Sequence, residues 1–290
     1  MKVLNLTCLP MLALLGLAVA QTRAQESGVI PIEAVPIEEH KPDNRNVKVF
    51  LRQSTEVFQP GDEVMLVVVL AHESGWHSYW QNPGDSGMPT NVVVMAPADI
   101  QVGEVMWPTP MRFESEGVFS YGYEGETQLL IPIKIPATFT ASQLELEVTV
   151  NLLACKEVCI PENSTMKINF YQSDDRRERV KDYVERAKAQ MPRDISQVQG
   201  LTVTSTYGDT DLQITVGAAR PIKSMDFFAL DPEIITAEPG QFRAEGAGGV
   251  LVLPMNTIMI NKVPTLKGVL IVEYEDGQRQ AVKVELRPGN

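Results

Sequence analysis

The chain has 290 residues, 25 basic and 37 acidic side chains, a formal net charge of −12 and three cysteines. So acidic a surface argues against nucleic acid as a partner, because phosphate backbones are bound by clustered cations. The charge otherwise reads as solubility, and the length is comfortable for two domains.

Residues 1–24 read as a secretory signal. Lys2 is the only charge ahead of an apolar run from Leu9 to Ala20, with small residues at Ala18-Val19-Ala20 and again at Ala24. That run is too short to cross ~30 Å of hydrocarbon, so the mature chain is not expected to span a membrane. Cys8 lies inside the run, behind Thr7, and should leave with the signal. Cleavage after Ala24 removes Lys2 and Arg23 from the 25 basic residues, leaving 23 against 37 acidic, a net charge of −14, and two cysteines able to pair. An exported chain with one close cysteine pair fits an oxidising compartment such as the periplasm. Residues 25–45 are polar, punctuated by Pro31, Pro36 and Pro42, and are expected to form an extended lead-in.

From Val47 the pattern turns to strands. VKVFLRQ and EVMLVVVLAHE are separated by QPGD, a turn by composition. TNVVVMAP, IQVGEVMWP and TQLLIPIKIP follow, short, β-branched and bounded by Pro or Gly. The strongest alternation lies in Leu144–Phe170. Leu144, Leu146, Val148, Val150 and Leu152 fall on one face, Glu145, Glu147, Thr149 and Asn151 on the other, and Met166, Ile168 and Phe170 resume the pattern after a break at Cys155–Cys159. A hairpin with a thiol pair at its tip is expected. Short strands at regular spacing indicate an antiparallel sandwich over 46–172.

Residues 173–197 are expected to hold a short linker helix. Val180, Tyr183, Val184, Ala187 and Met191 share a helical stripe, Ser173, Asp174 and Asp175 offer N-caps, and Pro192 marks the stop. Strand patterns resume over 198–290, with a hairpin around Asp276-Gly277. This second block holds no cysteine, histidine or tryptophan. The expected fold is therefore all-β, two antiparallel sandwiches joined by a short helix and separable near residues 172–200.

A Cys-x3-Cys pair can be a structural disulfide, a redox pair or two metal ligands. Disulfide geometry needs Cα atoms within roughly 7 Å, which four residues can meet across a turn but not along a strand. So short a loop stabilises little by chain entropy. On the residues alone, structural and redox roles stay evenly open, with metal ligation behind them. Lys156 would favour a thiolate and Glu157 oppose it. Trp76, His77, Tyr79 and Trp80 form a polar-aromatic cluster ahead of a Gly/Pro-rich turn. Trp76, His77 and Tyr79 can line the surface beside the thiols, or merely pack. The soft donors Cys155, Cys159, His77, Met88, Met106 and Met111 suit copper(I), but nothing fixes their spacing. No cofactor fingerprint is present.

LLACKEVCIPE, together with GWHSYWQNPGDSGMPT (75–90), WPTPMRFESEGVFSYGYEGE (107–126) and LLIPIKIP, resembles the N-terminal periplasmic domain of the DsbD/ScsB thiol:disulfide interchange proteins, closest to the ScsB type. The resemblance covers about residues 45–170. It departs from DsbD itself in the shorter cysteine spacing and in the absence, within these 290 residues, of membrane electron-carrying and thioredoxin-like domains. It implies immunoglobulin-like sandwiches and a periplasmic relay of reducing equivalents between a membrane thiol reductase and thioredoxin-like proteins. No cofactor or metal is implied. By the family's pattern Cys159 attacks partners and Cys155 resolves. A cap-loop ring covering the cysteines is also implied, with Phe119 and Tyr121 as its candidates. The alternatives are a non-catalytic β-sandwich adaptor with a structural disulfide, or a copper-handling protein.

Overall fold

A computed structural model describes residues 45–174, 181–232, 234–256 and 264–289. The expected signal, the lead-in up to residue 44 and the segment 175–180 lie outside the described residues. The first half holds β1 (Val47–Gln53), β2 (Val57–Phe58), β3 (Glu63–His72), β4 (His77–Gly84), β5 (Asn91–Met95), β6 (Gln101–Val102), β7 (Met111–Ser115), β8 (Val118–Glu124), β9 (Glu126–Lys134), β10 (Gln143–Cys155) and β11 (Cys159–Gln172). Then come α1 (Lys181–Ala189), β12 (Arg193–Asp194), β13 (Leu201–Tyr207), β14 (Asp211–Ala218), β15 (Ile222–Ala229), β16 (Gln241–Glu245), β17 (Gly248–Pro254), β18 (Leu266–Tyr274) and β19 (Arg279–Leu286).

Two sheets make the first immunoglobulin-like sandwich. One runs β1-β3-β9-β6 and the other β2-β11-β10-β4-β8-β7, with β5 also paired to β10. Alternation decides which side chains meet between them. Leu144, Leu146, Val148 and Val150 of β10 are fully buried and face Leu66, Val68, Leu70, Leu129, Ile131 and Ile133 of the opposite sheet. β3 reads as an unbroken apolar run because both its faces are covered: Val67 and Val69 point outward against Val184, Ala187 and Met191 of α1 and its C-terminal turn. That contact accounts for the helical stripe, and α1 ends at Ala189, short of Pro192.

The second sandwich stacks β12-β19-β18-β15 on β13-β14-β17-β16 around Leu212, Ile214, Phe227, Leu251, Leu253, Leu270 and Val282. The β18–β19 hairpin turns at Asp276-Gly277, with Gly277 at φ +81°. A third apolar cluster joins the two sandwiches. Trp80 of β4 and Tyr121 and Tyr123 of β8 pack on Phe228, Ala237, Val269 and Ile271. Residues 43–290 accordingly form one compact unit.

Candidate functional site

The site is built at the tip of the β10–β11 hairpin. Its register sets Cys155 directly opposite Cys159. Their Cα atoms are 4.1 Å apart and the sulfurs are bonded to each other. The turn between them closes with the Lys156 N–H donating to the Val158 carbonyl at 3.1 Å. The two sulfurs differ in access: Cys155 is 2% exposed, whereas Cys159 is an exposed residue flanked by the exposed Val158 and Ile160.

β4 runs on the other side of Cys155, with His77 paired to it in register. Two residues along the same face, Tyr79 donates its O–H to Cys155 Sγ at 3.1 Å and lies 3.9 Å from Cys159 Sγ. The phenol is held by the turn that follows β4. The Gly87 backbone lies on the ring so closely that a Cβ there would stand 2.2 Å from it, and Gly87 has φ +99°. Thr90 Oγ1 donates to the Tyr79 carbonyl at 2.5 Å. Burial pushes the Tyr79 pKa up, so the O–H remains a donor at neutral pH.

His77 stacks on Phe113 with centroids 4.6 Å apart and meets Tyr79 edge-on at 5.4 Å. Behind it, His72 at the end of β3 has Nδ1 2.7 Å from the Gly125 carbonyl and Nε2 2.8 Å from Ser78 Oγ. The carbonyl only accepts, so Nδ1 carries the proton and Nε2 accepts from the Ser78 hydroxyl. Burial lowers the pKa of both histidines, opposed at His72 by the Gly125 carbonyl and at His77 by Glu124. Lys156 donates from its ammonium to the Ser74 carbonyl at 3.3 Å, across Gly75, which ties it to the neighbouring turn.

The geometry brings together Cys155, Cys159, His77 and Tyr79. Trp76 instead packs against the core of the first sandwich. The expected cap rings are placed elsewhere. Phe119 and Tyr121 alternate onto the face of β8 that meets the second sandwich, where Tyr121 is 1% exposed and T-shaped on Phe228 at 4.9 Å. Strand alternation is the reason: Phe113 pairs with Ser120, one residue out of phase with Tyr121, and so its ring takes the opposite face and reaches His77. The sequence marked the segment but not its phase. His72 and Gly87 were not singled out, although Gly87 sits in the Gly/Pro-rich turn that the sequence does display.

Among the described residues no group of three or more His, Cys, Asp or Glu is arranged to hold a metal ion. No described helix is long and apolar enough to cross a membrane.

Residues 48–170 match the family model for the N-terminal part of the thiol:disulfide interchange protein DsbD. No curated protein matches the chain. Among solved structures, the N-terminal periplasmic domain of ScsB from Proteus mirabilis is 17% identical with a TM-score of 0.65, covering 86% of this chain and 97% of that one. A protein of unknown function from Porphyromonas gingivalis W83 is 10% identical with a TM-score of 0.28, covering 84% of this chain and 100% of that one. The E. coli chaperone DraB is 10% identical with a TM-score of 0.23, covering 83% and 99% respectively. The last two are too distant to carry an argument. The ScsB likeness is one of fold, and it extends through both sandwiches.

Proposed function

Residues 48–170 are a DsbD/ScsB-type N-terminal domain, and from that premise we propose that the chain relays reducing equivalents in the periplasm, between a membrane thiol reductase and thioredoxin-like proteins. The asymmetry of the sulfurs carries this reading: one exposed, the other buried beneath a phenol that donates to it. A partner thiolate attacks the accessible Cys159 Sγ. The Cys155–Cys159 bond breaks, its electron pair goes to Cys155 Sγ, and a mixed disulfide forms at Cys159. The Tyr79 O–H stabilises the departing Cys155 thiolate by a charge-assisted bond. A second partner thiolate then attacks the partner sulfur of the mixed disulfide. This releases the oxidised partner and leaves Cys155 and Cys159 reduced. In the other direction the Cys159 thiolate attacks a partner disulfide, and Cys155 resolves the product by attacking Cys159 Sγ. The signal-like residues 1–24 and the periplasmic origin of the similar ScsB domain support the location.

The role of Cys159 is tested by trapping. A Cys155→Ser variant, mixed with an oxidised thioredoxin-like protein, should accumulate a mixed disulfide through Cys159. The mirror variant, Cys159→Ser, should trap far less, because its remaining thiol is buried. Equal trapping by the two variants, or none by either, would remove the assigned order of attack.

A further inference from the structure

We infer that the second sandwich buttresses the disulfide site, with Arg112 as the positioning residue that ties the two together. The inference rests on the thiol-exchange reading above and assigns a part to a half of the molecule that carries no reactive residue of its own.

Among the described residues, three polar anchors cross between the sandwiches, and each starts from an element that also carries a site residue. On β7, Arg112 donates from Nε to the Ala237 carbonyl at 2.7 Å, from Nη1 to Asp226 at 2.5 Å and from Nη2 to the Phe227 carbonyl at 3.2 Å. Its guanidinium also lies over the Phe228 ring at 4.9 Å and the Tyr121 ring at 5.5 Å. Asn82 of β4, three residues beyond Tyr79, donates to the Ala229 carbonyl at 2.7 Å. Asp85, in the turn that leads to Gly87, accepts from the Ala237 N–H at 2.9 Å.

Strand alternation turns these anchors into a relay. Arg112 and Phe113 are neighbours and face opposite ways. Fixing Arg112 in the second sandwich therefore fixes Phe113 against His77, and His77 in turn bears edge-on on Tyr79, whose O–H meets Cys155 Sγ. An arginine suits the post because its planar guanidinium reaches three acceptors from three separate nitrogens while lying over two rings, a spread that a lysine's compact ammonium cannot match. The guanidinium does not touch the sulfurs. It acts through Phe113 and His77 on Tyr79, whose hydroxyl does.

The test measures the rate at which reduced glutathione opens the disulfide in the full chain, alongside thermal unfolding. Arg112→Ala should slow opening about fivefold to tenfold, the scale of one weakened hydrogen bond to a developing charge. Arg112→Lys, which keeps the charge and loses the fork, should fall between the two. In a Tyr79→Phe background, Arg112→Ala should add little further slowing, since both act through the same phenol. A variant that melts earlier yet exchanges at the wild-type rate would make Arg112 mere interface packing and overturn the inference. Faster exchange would overturn it too, by making the hairpin a shield. Full additivity with Tyr79→Phe would have the same consequence. A wild-type disulfide that glutathione cannot open would instead remove the exchange reading itself.

Discussion

Tyr79 sets the chemistry available to Cys155. Its hydroxyl is 3.1 Å from the buried sulfur and burial keeps it protonated. A hydrogen bond to a charged group contributes about 1.5–3 kcal/mol, so Tyr79→Phe should slow disulfide opening about tenfold or more and make the Cys155 thiol of the reduced protein slower to alkylate at a given pH. The ring itself remains, so the melting temperature should barely move; stopped-flow exchange and pH-dependent alkylation check the two parts. The partly buried histidines make a second, pH-linked prediction. Both have pKa values below 6.5 when folded, so between those values and 6.5 the unfolded chain binds more protons. Stability therefore rises with pH and is lost as pH falls below about 6.5. Thermal melts from pH 7.5 down to 5 should show the decline, and a His72→Gln variant should show less of it. Cys155, Cys159, His77 and Tyr79 were legible because residue type announces thiol and ring chemistry. His72 was not, because a histidine ending an apolar strand gives no sign of its partner six residues on.

Among the elements, the β10–β11 hairpin was the most legible. Its period of two names the buried face outright, and all five expected inward residues, Leu144 to Leu152, are buried. The β7–β8 hairpin was legible as a segment only. Its turn is Glu116-Gly117, both at positive φ, a two-residue connection that fixes register. Which of its faces meets the disulfide depends on the second sandwich covering the other, and that is not a local property of the sequence. The turn after β4 was read as Gly/Pro-rich without its purpose. Gly87 gives that turn room to lie on Tyr79. Gly87→Ala would need a left-handed alanine and a methyl 2.2 Å from the ring. It should destabilise the fold by about 2–3 kcal/mol, read by chemical denaturation, and should slow exchange as Tyr79 shifts. An alanine tolerated without loss of stability would mean the turn is looser than its contacts indicate.

At the scale of the whole molecule, the all-β class and the pair of sandwiches follow from turn spacing and strand period. The dependence between the sandwiches does not, because aromatic residues at Trp80, Tyr121 and Phe228 look the same in a sequence whether they pack within a sandwich or across two. Cutting the chain near residue 172 would uncover Trp80, Tyr121 and Tyr123, which the shared cluster buries, so the halves are tied more closely than the linker region suggests. The account as a whole turns on whether the Cys155–Cys159 bond is exchangeable or a staple. A loop this short restrains the unfolded chain by only about 2 kcal/mol, while structural disulfides of secreted proteins sit below about −300 mV. The decisive measurement is equilibration of the full chain with glutathione buffers, reading the fraction of free thiol together with the melting temperature of each form. The account predicts a midpoint above about −300 mV and a reduced protein that stays folded and melts only a few degrees earlier. A disulfide that glutathione cannot reduce, and whose removal unfolds the first sandwich, would contradict it.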